Sequence, residues 1–261
     1  MSNIHPTAII DPHAKIGENV EIGPYAIIGP DVTLGDGCVI HPHAVIDGNT
    51  TLGKDCQVFE SAHIGGKTQD LKFKEGNKTF VKIGDRTVLR EFTTVNCGTN
   101  DGESTIIGDD CLLMAYCHVA HGCVLGNHII VSNATQFAGE VHVGDWAVIS
   151  GLIGCHQFVR IGCHAMVGGG TVIKQDVAPY FITDGSGGNG VHAFDVNHVG
   201  LRRRGFPDET IRALHTACRI LCHSGLTVSA GIEQIRKELP DLPEIRTLIE
   251  FFQTTKRGVI R

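Results

Sequence analysis

An aliphatic residue returns at every sixth position along two thirds of this chain. From Ile4 the step of six reaches Ile10, Ile16, Ile22, Ile28, Leu34 and so on to Ile64; it resumes at Ile83, Leu89 and Val95, then runs from Ile107 to Ile173 with Phe137 and Cys155 taking two of the places. Two positions before each aliphatic stands a small or β-branched residue, as at Ala8, Ala14, Val20, Ala26, Val32 and Cys38. Glycine often follows it, as at Gly17, Gly23, Gly29 and Gly35. Two inward side chains per six residues, separated by a polar bend, demand very short strands joined by corners. Such units bury a continuous core only when stacked on one another.

Two excursions break the ladder, near 66–80 ("GKTQDLKFKEGNKTF", within it) and near 96–104 ("NCGTNDGES"), and loops leaving a rigid scaffold commonly carry function. After Pro179 the period stops. Residues 183–199 are rich in Gly, Asn and His and read as a linker or binding loop, and three helices follow at Pro207–His223, about 229–239 and about 243–255. The expected organisation is a β-solenoid over 1–182, the 183–199 loop, and a helical domain over 200–261. Residues 1–199 carry 11 Lys/Arg against 21 Asp/Glu, whereas 200–261 carry 11 against 7. A basic end on an acidic body suits an anionic partner. No stretch is long and apolar enough to span a membrane, so no stable insertion is expected, and the N-terminus has no export signal. A cytoplasmic location, with the ten cysteines reduced, is the matching expectation.

The heptapeptide Cys117–Cys123, "CHVAHGC", looks like a metal site until the period is applied. Cys117 and Cys123 fall two before Val119 and Leu125, in the inward slot, while His118 and His121 point outward. The four cannot converge on one tetrahedral ion. Residues 18 apart occupy consecutive coils, about 4.8 Å apart. Above His121 come Gly139 and then Gln157, with Glu140 one position along from Gly139. A histidine, a glycine amide and a diagonal carboxylate suit acyl transfer as base, oxyanion donor and orienter.

Several stretches go beyond the generic repeat: "QDLKF", "CLLMAYCHVAHGCVLGN", "FAGEVHVGD", "GCHQFVRIG", "MVGGGTVIKQDV", "GLRRRGF" and "RGVIR". In these the chain resembles the bacterial UDP-N-acetylglucosamine acyltransferases that open lipid A biosynthesis. The resemblance implies an all-β left-handed parallel β-helix followed by a small α-helical C-terminal domain, assembled as a homotrimer with sites between subunits. It implies transfer of an R-3-hydroxyacyl chain from acyl carrier protein to the 3-position of a UDP-sugar, without metal or cofactor and with no nucleic-acid partner. Carried over by position, His121 is the base and Gly139 the oxyanion donor. Asp70, Lys72, His118, Gln157, Asn197, Arg203 and Arg204 hold the nucleotide sugar or acyl donor, and Gly169 leaves room for a longer acyl chain. Three arginines in a row at 202–204 independently suit a diphosphate.

The sequence departs from that family pattern around the sugar site. Asn96 stands where the family commonly has histidine, Gly122 where it has Asp directly after the base, Glu140 where it has His, and Val199 where it has an acid; the 183–198 loop is about three residues longer. Glu140 is therefore expected to orient His121 in place of the missing Asp. A 3-amino UDP-sugar is the alternative acceptor, since an amine leans less on a strong base. A zinc lyase of the γ-carbonic anhydrase type, using outward histidines among His63, His118, His121, His142, His156 and His164, is the different-class alternative. A related N-acyltransferase acting two steps later carries an extra N-terminal domain, whereas the repeat here begins at Ile4; a non-catalytic solenoid is the remaining reading.

Overall fold

The computed structural model describes residues 2–185 and 190–261. Every one of the 26 hexad positions, 24 aliphatic with Phe137 and Cys155, lies in a short strand, from Asn3–Ile4 to Val172–Ile173. The strands form three parallel sheets, so the chain winds as a triangular prism: the expected left-handed parallel β-helix. The first face begins with Asn3–Ile4, the second with Ile9–Ile10 and the third with Lys15–Ile16. Most strands are two residues long. Three on the third face, Asn49–Leu52, Phe80–Ile83 and Ser104–Ile107, are four residues long and stack in full register. From Val20 onward the inward pairs are almost completely buried, and Cys111, Cys117 and Cys123 are at most 1% exposed. Cys38, Cys56, Cys111, Cys117 and Cys123 fill the inward slot two before the hexad residue, which small and β-branched side chains occupy along the prism.

Most corners place a residue in the left-handed region: among the described residues seventeen non-glycine residues adopt it, Glu140 and Trp146 among them, as does Gly122 (φ 65°). Side chains at these corners then stack along the prism edges, as in the column His128, Trp146, His164 and Tyr180.

Beyond the prism, Phe181–Asp184 pairs with Met166–Val167 and antiparallel to His192–Val196, extending the first face. Residues 186–189 of the expected 183–199 loop lie outside the described residues. The helices are α1 (His198–Arg203), α2 (Asp208–Cys218, continued by a wider turn to His223), α3 (Val228–Glu238) and α4 (Pro243–Thr254). Three match the apolar periodicity. α1 is too short to show one and depends on Asn197, whose side chain accepts from the Gly200 N–H. The helices bury their own core of Leu201, Leu214, Ile235, Leu248 and neighbours. Buried Asp176 ties them to the prism: it accepts from Arg160 and Thr255, while Arg160 also reaches Thr254 and the Phe251 carbonyl.

Candidate active site

The site is built around one vertical column at the corner between the second and third faces. Ile106 pairs with Val124 and Val124 with His142, an 18-residue register that places Glu103 beneath His121 and Gly139 above it. His121 is largely enclosed, its side chain 19% exposed. Its Nε2 faces Asp70 Oδ2 at 3.6 Å, and its Nδ1 faces Glu103 Oε1 at 4.0 Å. Asp70 comes from the first excursion and is fixed there by the Lys72 N–H on its other oxygen. Gly139 is required by a close approach: a Cβ there would fall 2.3 Å from His121 Nε2. At the corner between the third and first faces, the equivalent amide is taken by an acid or amide one coil up, as Glu18 is by Asp36 and Asp109 by Asn127. Above Gly139 stands Gln157, and the Gly139 N–H donates to no group among the described residues.

Glu103 went unnoticed in the sequence, although subtracting 18 from 121 finds it as surely as adding 18 finds Gly139. Its Oε2 accepts from the Thr99 and Asn100 backbone amides and the Asn100 side chain. Its Oε1 is buried, receives none of these donors, and is left facing His121 Nδ1, which is also buried without a hydrogen bond. Glu140 does not take the expected direct hold on His121. Its carboxyl turns to Glu103, and its nearest oxygen lies within 4.8 Å of the imidazole, whereas Glu103 comes to 4.0 Å. The space between them exists because residue 122 is glycine: a Cβ there would lie 2.4 Å from Glu103 Oε1 and 2.6 Å from Glu140 Oε1. Burial, then the hydrogen bond and charge of Glu103, push Glu140 up to about 7. Burial also raises Glu103, but its amide hydrogen bonds and Glu140 outweigh that and hold it below the usual carboxylate range.

His118 sits on the second face, its Nδ1 2.7 Å from Thr94 Oγ1, and burial lowers its pKa. Asn96 is nearly buried and pairs with Gly66, where the first excursion leaves the prism. Lys72 and Gln157 are exposed.

The remaining expected contacts lie elsewhere on the protomer. A groove of about 700 Å³ runs along the first face, lined by Ile130, Val148, Met166, Phe194, Arg203 and Arg204. Arg204 is held there by stacking 5.1 Å from the Trp146 ring centroid and by Nη1 at 3.5 Å from His164 Nδ1. Burial, then the Arg204 charge, press His164 down to about 4, so it meets the guanidinium as a neutral acceptor. Arg203 is exposed, and Asn197 is buried, capping α1 and donating to the His164 carbonyl. Gly169 is at the corner between the first and second faces, where a Cβ would meet nothing closer than the Gly151 carbonyl at 3.6 Å. A single chain thus separates the His121 column from the arginine groove by the width of a prism face. The candidate zinc histidines are dispersed likewise: His63 and His118 on the second face, His142 on the third, His164 at a different edge.

Residues 176–260 match the family model described as UDP N-acetylglucosamine O-acyltransferase, domain 2, and 13–48 and 104–135 match bacterial transferase hexapeptide repeats. An acyl-[acyl-carrier-protein]–UDP-N-acetylglucosamine O-acyltransferase of Burkholderia lata is 47% identical over 266 residues, covering all of both chains. The chain belongs to the UDP-N-acetylglucosamine O-acyltransferase family. A Burkholderia orbicola relative of the same name is likewise 47% identical over the full length of both chains. Among solved structures of the family, the enzyme from Bacteroides fragilis has a TM-score of 0.95 at 40% identity, covering 98% of this chain and 99% of that one. The enzyme from Acinetobacter baumannii has a TM-score of 0.93 at 42% identity, covering 99% of each.

Proposed function

We propose that the protein transfers a 3-hydroxyacyl chain from acyl carrier protein to the 3-hydroxyl of UDP-N-acetylglucosamine, the first step of lipid A biosynthesis. The full-length match to relatives bearing that activity in their name carries the reading. In the mechanism, His121 Nε2 removes the proton of the sugar hydroxyl as its oxygen attacks the thioester carbonyl. The open Gly139 N–H holds the resulting oxyanion. Collapse expels the carrier thiolate, which takes the proton back from His121. Asp70 and Lys72 position the sugar beside Nε2, while Asn96, His118 and Gln157 border its path.

Arg203 and Arg204 clamp the diphosphate. They cannot reach a sugar held at the His121 of their own chain, so the reading includes a homotrimer in which the arginine groove of one protomer faces the His121 column of the next. Exposed Tyr25, Phe92, Tyr116 and Leu152 along the edge between the first and second faces give an apolar seam for such packing. The basic helical domain suits docking of an acidic carrier protein, and no helix is long and apolar enough to cross a membrane among the described residues. The open space at Gly169 favours a long acyl chain. A 3-amino acceptor was attractive because the base lacked an adjacent acid; a carboxylate beneath His121 Nδ1 removes that ground and favours the hydroxyl.

The test is mass spectrometry of products from carrier-bound donors of graded length with UDP-N-acetylglucosamine and its 3-amino analogue. An alkali-labile 3-O-ester is expected. A preference for the amine would replace the acceptor, and no transfer from any donor would reject the reading.

A further inference from the structure

We propose that Glu103 is the residue that positions the His121 base, and that Glu140 acts through Glu103 as its neutral hydrogen-bond donor. The inference rests on the acyl-transfer reading and deepens it at the same site.

Four observations converge. Glu103 is the last residue of the second excursion before the strand Ser104–Ile107, and the 18-residue register of that strand places it directly beneath His121. Three N–H donors fix Oε2, which leaves only Oε1 to turn toward the imidazole. Oε1 and His121 Nδ1 are both buried and otherwise without a hydrogen bond, and they face each other at 4.0 Å. That separation is about 1 Å longer than a hydrogen bond, a gap a small ring rotation closes when substrate fills the Nε2 side. Finally, Gly122 has no side chain to intervene, and the two carboxyl groups occupy the space a Cβ would take.

Below about pH 7 Glu140 is not a second anion in this pocket. Two carboxylates at such range hold one proton between them, because like charges disfavour joint ionisation. The proton belongs on Glu140, which is raised to about 7 while Glu103 is lowered by its amide donors. Neutral Glu140 then donates to Glu103, and the pair presents one negative charge to Nδ1. A carboxylate there fixes the tautomer with the proton on Nδ1, frees Nε2 to act as base, and stabilises the imidazolium once Nε2 is protonated.

The division of labour separates two conservative variants. Glu103→Gln removes the charge but keeps an acceptor for the loop amides, and is expected to lower kcat about 100-fold with KM for the UDP-sugar within about twofold. Glu140→Gln keeps a neutral donor beside Glu103 and is expected to lower kcat by clearly less than Glu103→Gln does. A merely structural role for Glu103 predicts a lower melting temperature or weaker sugar binding with no kcat-specific loss. Full activity in Glu103→Gln, or a loss in Glu140→Gln equal to or larger than that in Glu103→Gln, overturns the proposal. Wild-type protein inactive with every donor would instead overturn the acyl-transfer reading itself.

Discussion

Replacing Gly139 by alanine isolates the closest approach in the site. The backbone at Gly139 lies outside the left-handed region, so alanine fits it without strain, and the N–H proposed to hold the oxyanion remains. Only the methyl group is new. It would stand 2.3 Å from His121 Nε2 and 2.4 Å from Cε1, against an ordinary contact of about 3.5 Å. The ring must therefore withdraw by about 1.2 Å, and it must do so away from the place where the sugar hydroxyl is activated. Misplacement of about 1 Å costs about 100-fold in rate, which is about 2.7 kcal/mol of transition-state stabilisation. Stability should barely change, since Gly→Ala at a compatible backbone contributes about 0.4–1 kcal/mol in its favour and the clash falls on a side chain. Initial rates by product mass spectrometry and a thermal melt give both quantities. A Gly139→Ala enzyme with wild-type kcat, in a background where His121→Ala is inactive, would refute the claim that His121 must sit against this corner.

Other outcomes follow from the same geometry. Trp146→Leu removes the ring that holds Arg204, a cation–π contact of about 0.5–2 kcal/mol, so the Kd for UDP-sugar should rise about 2- to 30-fold in calorimetry with kcat nearly unchanged. His164 is held down to about 4 in the folded chain, against about 6.5 unfolded. Between those values the unfolded state binds more protons, so stability is lost as pH falls from about 6.5 toward 4. Urea midpoints at pH 5 and 7 should therefore differ more for wild type than for His164→Asn. Asp176, 1% exposed, is the partner of Arg160. Asp176→Ala strands the guanidinium at the junction of prism and helices and should cost about 2–3 kcal/mol, read as a lower denaturation midpoint.

The fold was legible because the period constrains every coil. The hexad positions became strands, and the cysteine and histidine sides of "CHVAHGC" separated as the register required. Gly139 is legible 18 residues after His121, whereas Glu103, 18 residues before it, is obscured by the excursion that ends beside it. Glu140 turns toward Glu103 and not directly onto His121, since sequence offsets give the coil but not where a flexible carboxyl turns. α1 was illegible because six residues show no periodicity, and the anchoring of Arg204 by Trp146 and His164 joins residues 58 and 40 positions apart that no local pattern links.

The three four-residue strands of the third face, Asn49–Leu52, Phe80–Ile83 and Ser104–Ile107, have a consequence for cooperativity. In a solenoid each coil is bonded only to its neighbours, so unfolding is a sum of nearest-neighbour couplings. Here the strongest couplings are consecutive and lie in the coils that emit both excursions. The slowest-exchanging amides should fall there, with fraying from the two ends of the prism stopping short of them. The loops that carry Asp70 and Glu103 are thus rooted in the last part of the lattice to melt, and the chain gains freedom at those loops without loosening the coils that aim His121.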